Sequence, residues 1–281
     1  MRRRAAALAL LCLLAGCGSA GTATVDRADG ETLTAAPLPE TTATDAGRTA
    51  TPTPTVGEPE GAQLAPGLAT GGLYDPRALA SAHADALGNR SFRVVRTTVV
   101  VVRNGSEAVN VTRRLRVAAG GQPYHYNKTA RRPDGRTRTE VWLDEPSILF
   151  RVGVENVSYR RGPAMADADP LENSSHRDRL AALYTAGTGW EITPRANGTI
   201  LQTTVPLPDR VLRVPPEVSD PRNTRLRLRV TRTGRVVDYR LRYDALRDGN
   251  RVIVVHQARF TTGVNVTAPA WVDEARAATA D

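Results

Sequence analysis

Paired carboxylates are the first candidates for chemistry, because two acids flanking a bond can hydrolyse glycosides. Within residues 73–281, Glu140, Asp144 and Glu145 form the one tight acidic cluster. Adjacent acids on a strand point to opposite faces, so this cluster reads as a solvated turn. Asp167 and Asp169 suggest calcium, but the loop around them lacks the EF-hand pattern. The four histidines, His83, His125, His176 and His256, show no zinc-type spacing with each other or with Cys, and none pairs at four-residue helical spacing. His83 and His176 are expected in solvent, and His125 on a strand or loop between Tyr124 and Tyr126. His256 is expected on an apolar sheet face as a hydrogen-bonded core residue. No Gly-X-Ser-X-Gly elbow occurs, and the single lysine, Lys128, has no glycine-rich phosphate loop around it. These residues yield no set of nucleophile, base and orienting group, so the expectation is a non-enzyme without cofactor or metal. Three Trp, seven Tyr and three Phe give little surface for stacking bases, so nucleic acid is not an expected partner.

Arginine and asparagine carry the remaining chemistry. The formal charge is +9, divided into −5 over residues 18–72 and +11 over 73–281. Guanidinium groups form bidentate contacts with carboxylate and phosphate, so a basic domain suits anionic headgroups or acidic glycans. A hairpin turning at Thr233-Gly234 pairs Val230 with Val237, Leu228 with Tyr239 and Leu226 with Leu241. Arg225, Arg227 and Arg229 then face the other way. Arg227 falls opposite Arg240, Arg225 opposite Arg242, and Asp238 opposite Arg229. Like charges directly opposite are destabilising. Arg225, Arg227, Arg240 and Arg242 are therefore either a contact for anionic headgroups or envelope polymer, or a solvated face screened by salt. Eight of the ten asparagines start an Asn-X-Ser/Thr triplet: Asn89, Asn104, Asn110, Asn127, Asn156, Asn173, Asn197 and Asn265. With 40 Ser plus Thr among 281 residues, chance supplies about one or two, so the excess marks these as N-glycosylation candidates.

These residues need elements to position them. Arg2–Arg4 precede the apolar run Ala5–Leu14, which closes on small residues before Cys17, the pattern of a signal peptide over 1–16. The twelve residues Ala5–Gly16 fall short of the ~20 needed to span a bilayer. Cys12 and Cys17 are the only cysteines; with Cys12 removed, no disulfide is expected. Residues 17–72 are rich in Thr, Ala, Gly and Pro and read as a disordered stalk. The folded domain is expected over 73–281. Asp75-Pro76 caps a helix that ends near Gly88 or Asn89. Val- and Thr-rich strands follow over Phe92–Val102 and, after the Asn104-Gly105 turn, on to Leu115, a hairpin that pairs Val102 with Glu107, Val100 with Val109 and Val94 with Leu115. Further strands are expected at 137–143, 148–152, 157–160, 191–193 and 199–205, in the Thr233-Gly234 hairpin, and from Arg251 to Phe260. A second helix fits 175–186, and the prolines from Pro206 to Pro221 mark an irregular loop. The class is α+β, a single large antiparallel sheet with about two helices.

The run Leu14-Ala15-Gly16-Cys17 resembles the lipobox of secreted lipoproteins. That implies cleavage before Cys17, acylation of its sulfur, and a lipid tether on the extracellular face of the cell membrane. Three further features extend the resemblance: the Thr/Pro stalk, the stretch Ala86-Leu87-Gly88-Asn89-Arg90-Ser91-Phe92, and the closing Phe260-Thr261-Thr262-Gly263 through Pro269-Ala270-Trp271. Together they are similar to surface lipoproteins of haloarchaea and, more distantly, to LolA-like and LppX-like lipid-carrier lipoproteins. The resemblance implies a curved half-barrel with helices on its concave face and a cavity for an acyl chain or isoprenoid. Leu226, Leu228, Val230, Val237, Tyr239, Leu241, Tyr243 and Val254 would line that cavity, or pack it shut. A membrane-tethered carrier of a hydrophobic ligand and a passive, glycosylated envelope module both fit.

Overall fold

The computed structural model describes residues 60–102, 105–144, 146–163 and 174–280. Cys17, Asn104, Glu145, Asp167, Asp169 and Asn173 lie outside these residues, as do the expected signal peptide and residues 17–59. Among the described residues the chain forms fourteen strands and four helices.

Order begins before the expected boundary at Leu73. Strands β1 (Gln63–Ala65), β2 (Leu68–Ala69) and β3 (Gly72–Leu73) make a small antiparallel sheet. Leu68 and Ala69 are fully buried. The Gly67 carbonyl accepts from both Tyr74 and Asp75 N–H at 3.1 Å. These backbone bonds and two small apolar side chains fold the end of the expected stalk, where composition alone predicts disorder.

Helix α1 (Pro76–Gly88) starts as its sequence dictates. The Asp75 carboxylate accepts from Arg77 and Ala78 N–H at 3.0 and 2.9 Å, and Pro76 occupies the first turn. Six strands then run as a meander: β4 (Phe92–Val102), β5 (Glu107–Val117), β6 (Tyr124–Arg132), β7 (Gly135–Asp144), β8 (Ser147–Val152) and β9 (Ser158–Pro163). Helix α2 (Arg177–Ala186) leads into β10 (Glu191–Arg195) and β11 (Gly198–Thr203). The proline-rich segment contains the short helix α3 (Asp209–Leu212). A second meander continues with β12 (Ser219–Val230), β13 (Val236–Arg247) and β14 (Asn250–Thr262), and α4 (Trp271–Ala278) closes the described chain.

Eleven strands make one open, curved antiparallel sheet in the order β10-β11-β12-β13-β14-β4-β5-β6-β7-β8-β9. The β14–β4 pairing joins the two meanders over eleven residue pairs, from Val252↔Val102 to Thr262↔Phe92. The expected registers Val94↔Leu115, Val100↔Val109, Leu228↔Tyr239 and Leu226↔Leu241 are present. Two hairpin ends differ. Glu107 pairs with Val101 rather than Val102, and Val230 with Val236 rather than Val237, because each hairpin carries a bulge that adds a residue on one strand. Val236 is fully buried in consequence, and Val237 is only half-buried.

The two faces of the sheet differ. Alternation puts Phe92, Val94, Leu226, Leu228, Val230, Leu241, Tyr243, Val254 and Phe260 in one core with Leu79 and Leu87 of α1 and Leu180 and Leu183 of α2. This is the inner face. Gly234 at the β12–β13 turn touches α1: a Cβ there would lie 2.6 Å from Ala82 Cβ, and φ is +83°. Glycine is required on both counts. On the outer face Trp142 and Leu149 pack with Trp271, Val272 and Ala275 of α4 in a separate cluster. α4, which the sequence reading did not anticipate, thus forms a third layer.

Candidate functional site

Each sequence-derived candidate has a definite place. Glu140 is not in a solvated turn. It lies mid-strand on β7 and is 2% exposed, with Arg151 Nη1 at 2.7 Å, Arg138 Nε at 2.9 Å and His125 Nε2 at 3.4 Å. Burial alone would raise its pKa. Hydrogen bonds from His125, Asn127 and Arg138 and the Arg138 charge outweigh burial and lower it to about 2. Held ionised by Arg138 and Arg151 and by hydrogen bonds from His125 and Asn127, this carboxylate is a structural tie across β6, β7 and β8.

His83 and His176 are buried rather than solvated. His83 Nδ1 accepts from Val236 N–H at 2.9 Å, and its ring meets Phe260 edge-on at 4.6 Å. His176 also meets the Phe260 ring edge-on, at 5.4 Å. The helical pattern misled here, because a lone histidine within α1 reads as polar although its acceptor nitrogen ties the helix to a hairpin. His256 is hydrogen-bonded as expected, with Nδ1 3.1 Å from Thr98 Oγ1 and Nε2 3.2 Å from the Tyr243 hydroxyl, but it is half-buried and borders a pocket rather than lying in the core. Among the described residues no group of three or more His, Cys, Asp or Glu could hold a metal ion. Nor is any helix there long and apolar enough to cross a membrane.

The arginine hairpin has the expected register, Arg225↔Arg242, Arg227↔Arg240 and Arg229↔Asp238. Arg229 is paired with Asp238, and Arg242 lies 3.8 Å from Asp244. Arg225, Arg227 and Arg240 are exposed on the outer face. Of the sequons, Asn89, Asn156, Asn197 and Asn265 are exposed outside the strands, whereas Asn110 and Asn127 are half-buried within β5 and β6.

The open space on the inner face is displaced from where the sequence puts it. Leu226, Leu228, Val230, Leu241, Tyr243 and Val254 are fully buried in the core, under α1 and α2. Of the eight expected cavity residues, only Tyr239 borders the inner-face pockets. The apolar pocket lies over the first meander instead, and the other straddles the junction of the two meanders. One, of about 280 Å³, is lined by Val94, Leu115, Tyr124, Tyr126 and Val141, with Ser174 and His176 at its rim. Its neighbour, of about 300 Å³, lies between β4, β5, β13 and β14 and the segment 213–217 after α3. Arg96, Arg113, Arg132, Arg179 and Arg213 line it, with Glu217 as its one acid. Arg96 and Arg113 are cross-strand partners and border both pockets.

The electrostatics follow from this crowding. Burial first, then the neighbouring Arg113 and Arg213, lowers the pKa of Arg96; burial, Arg213 and Arg96 lower that of Arg179. Burial and the charges of Arg179, Arg113, Arg213 and Arg96 push His256 down to about 4. These four arginines were not singled out by motif. The signal was available, however: Arg96 interrupts the inner series Val94, Thr98, Val100, and Arg113 interrupts Val109, Val111, Leu115, Val117. A charge in the middle of an apolar face is rarely tolerated without a reason.

Fold and site together define a class: an open antiparallel sheet with helices on one face and a two-part cleft, apolar and basic, beside them. No protein-family model matches the sequence, and no curated protein matches it. Solved structures to which the chain is similar include a DUF1329 family protein from Desulfovibrio piger, at 12% identity over 69% of this chain and 95% of that one, with a TM-score of 0.26. A LolA superfamily protein from Nitrosomonas europaea matches at 9% identity over 68% and 94%, with a TM-score of 0.23. The ywiB protein from Bacillus subtilis matches at 8% identity over 62% and 93%, with a TM-score of 0.18. Likenesses at this level assign neither family nor activity to the chain.

Proposed function

We propose that this chain is an extracellular, membrane-tethered lipoprotein that binds or carries a hydrophobic ligand, such as a lipid, and performs no chemistry on it. The observation that carries the reading is the pocket of about 280 Å³ on the inner face, whose walls are Val94, Leu115, Tyr124, Tyr126 and Val141. A concave site with apolar walls and a few polar groups at one end suits a small apolar ligand. Tethering rests on Cys17 and the residues before it, and the segment between Cys17 and Gln63 would let the cleft reach the membrane surface. Asn89, Asn156, Asn197 and Asn265 are exposed, as acceptors of glycans must be. Those exposed sequons equally suit the second reading, a passive glycosylated envelope module.

The test is to purify the full chain from its native host, extract it with organic solvent and analyse the extract by mass spectrometry. A near-stoichiometric lipid, lost from a Leu115→Trp variant that fills the pocket, is the expected result. A wild-type extract without lipid, from protein that also fails to take up added lipid, would favour the passive module. For the tether, the N-terminal peptide of the mature chain should begin at an acylated Cys17, and a Cys17→Ser variant should appear in the medium.

A further inference from the structure

Resting on the hydrophobic-ligand reading, we propose that the ligand is an anionic amphiphile. Its oxyanion headgroup lies among Arg96, Arg113, Arg179 and Arg213, and its hydrocarbon chain runs along Val94, Leu115, Tyr126 and Val141.

On the outer face several guanidinium groups are matched to acids, Arg138 and Arg151 to Glu140, Arg229 to Asp238, Arg242 to Asp244, and Arg276 to Asp144 and Asp273, while Arg225, Arg227 and Arg240, which have no acid partner, stand exposed to solvent. The inner group has neither a paired acid nor, apart from Arg213, full exposure. Among the described residues, none of Arg96, Arg113, Arg179 and Arg213 has a carboxylate within 4.0 Å. Arg179 is only 7% exposed, and its Nη1 donates to the Val211 carbonyl, which satisfies one donor but neutralises no charge. A buried charge without a counter-ion is costly. Half-buried Arg96 and Arg113 and exposed Arg213 border the same pocket as Arg179 and add like-charge repulsion to that cost.

An oxyanion resolves the conflict, because guanidinium groups present forked donors that match the geometry of phosphate and carboxylate oxygens. Arg96 and Arg113 face each other across β4 and β5, and both border the apolar pocket as well as the basic one. A headgroup held by these two therefore has its tail at the mouth of the apolar pocket. A free inorganic anion would use only the basic half. A neutral lipid would use only the apolar half and leave these four arginines with Glu217 as the one acid in their pocket.

Calorimetric titration of the full chain with dodecyl phosphate below its micellar concentration, dodecanol and inorganic phosphate separates the cases. Dodecyl phosphate is expected to bind at least tenfold more tightly than either of the others. An Arg96→Gln/Arg113→Gln variant should lose that preference while binding dodecanol as wild type does. Arg213 is exposed beyond the end of α3, so Arg213→Gln provides a folded variant with a smaller loss, about threefold. Equal binding of dodecanol and dodecyl phosphate, unchanged in the variants, would overturn the headgroup site and leave the hydrophobic-ligand reading standing. Inorganic phosphate binding as tightly as dodecyl phosphate would overturn the amphiphile. Failure of both dodecyl compounds to bind would overturn the proposal and the reading beneath it together.

Discussion

Acidification from pH 7 to pH 5 should remove about 4 kcal/mol of folding stability, through two histidines that the fold holds neutral. His83 is fully buried and uses Nδ1 as an acceptor from Val236 N–H. Burial lowers its pKa to about 4, against the opposing hydrogen bond with the Ser175 backbone and with some help from Arg235. His256 is lowered to about 4 by burial and then by Arg179, Arg113, Arg213 and Arg96. In the unfolded chain both titrate near 6.5. Between those values the unfolded state binds protons that the native state refuses. Stability is therefore fully present above about pH 6.5 and falls as pH drops toward 4. For one such group the linkage integral is about 2 kcal/mol at pH 5 and about 3 kcal/mol once pH reaches 4. Two groups give the 4 kcal/mol, and His176, also lowered well below its usual value by burial first, acts in the same direction. Domains of this kind are stable by about 5–15 kcal/mol, so the loss should be conspicuous. Urea unfolding followed by far-ultraviolet circular dichroism at pH 7, 6 and 5 measures it. His256→Gln should remove about half of the two-histidine dependence. Saturating dodecyl phosphate should shrink the dependence further, because a negative headgroup offsets the arginine field. A stability that stays level from pH 7 to pH 5 would show that these rings are not buried in the neutral form.

Glu140→Gln should cost about 3–5 kcal/mol, because it leaves Arg138 and Arg151 facing a neutral amide; thermal unfolding at pH 7 reads this. The same carboxylate, lowered to about 2, should add a separate acid loss as pH falls from about 4.5 to 2, which the variant lacks. Arg96→Gln should stabilise the ligand-free protein by about 1 kcal/mol at low salt, since Arg96 and Arg113 are like charges directly opposite on neighbouring strands. The gain should shrink when phosphate is added, as read by the urea midpoint. Gly234→Ala places a Cβ 2.6 Å from Ala82 Cβ at a φ of +83°, and should cost about 1–3 kcal/mol by the same assay.

Much of this architecture was legible because alternation and turn residues are local. Asp248 and Gly249, at φ +51° and +76°, make the turn their sequence announces, and Asp75-Pro76 opens α1 as expected. What failed depended on distant partners. Whether Val236 or Val237 enters the core is set by a bulge, and a bulge has no composition of its own. The buried state of Glu140 needs Arg138, Arg151 and His125 from three strands. The apolar pocket lies over β4–β7 because α1 and α2 pack with the inner face of β12–β14, and periodicity cannot say which stretch of an apolar face a helix will cover. The basic half of the cleft was visible as Arg96 and Arg113 within apolar runs. Its meaning emerged only when β4 and β5 set them opposite each other and α2 brought Arg179 alongside.

The central claim is that a hydrocarbon chain occupies the inner cleft of the first meander. Photocrosslinking with a dodecyl phosphate analogue bearing a diazirine at its terminal carbon, followed by peptide mapping, tests this directly. Label on the peptides containing Leu115, Tyr124, Tyr126 or Val141, competed away by unlabelled dodecyl phosphate, is the predicted result. Label confined to the exposed Val152–Val154 turn or the outer α4 cluster, or label that unlabelled ligand does not displace, would contradict it.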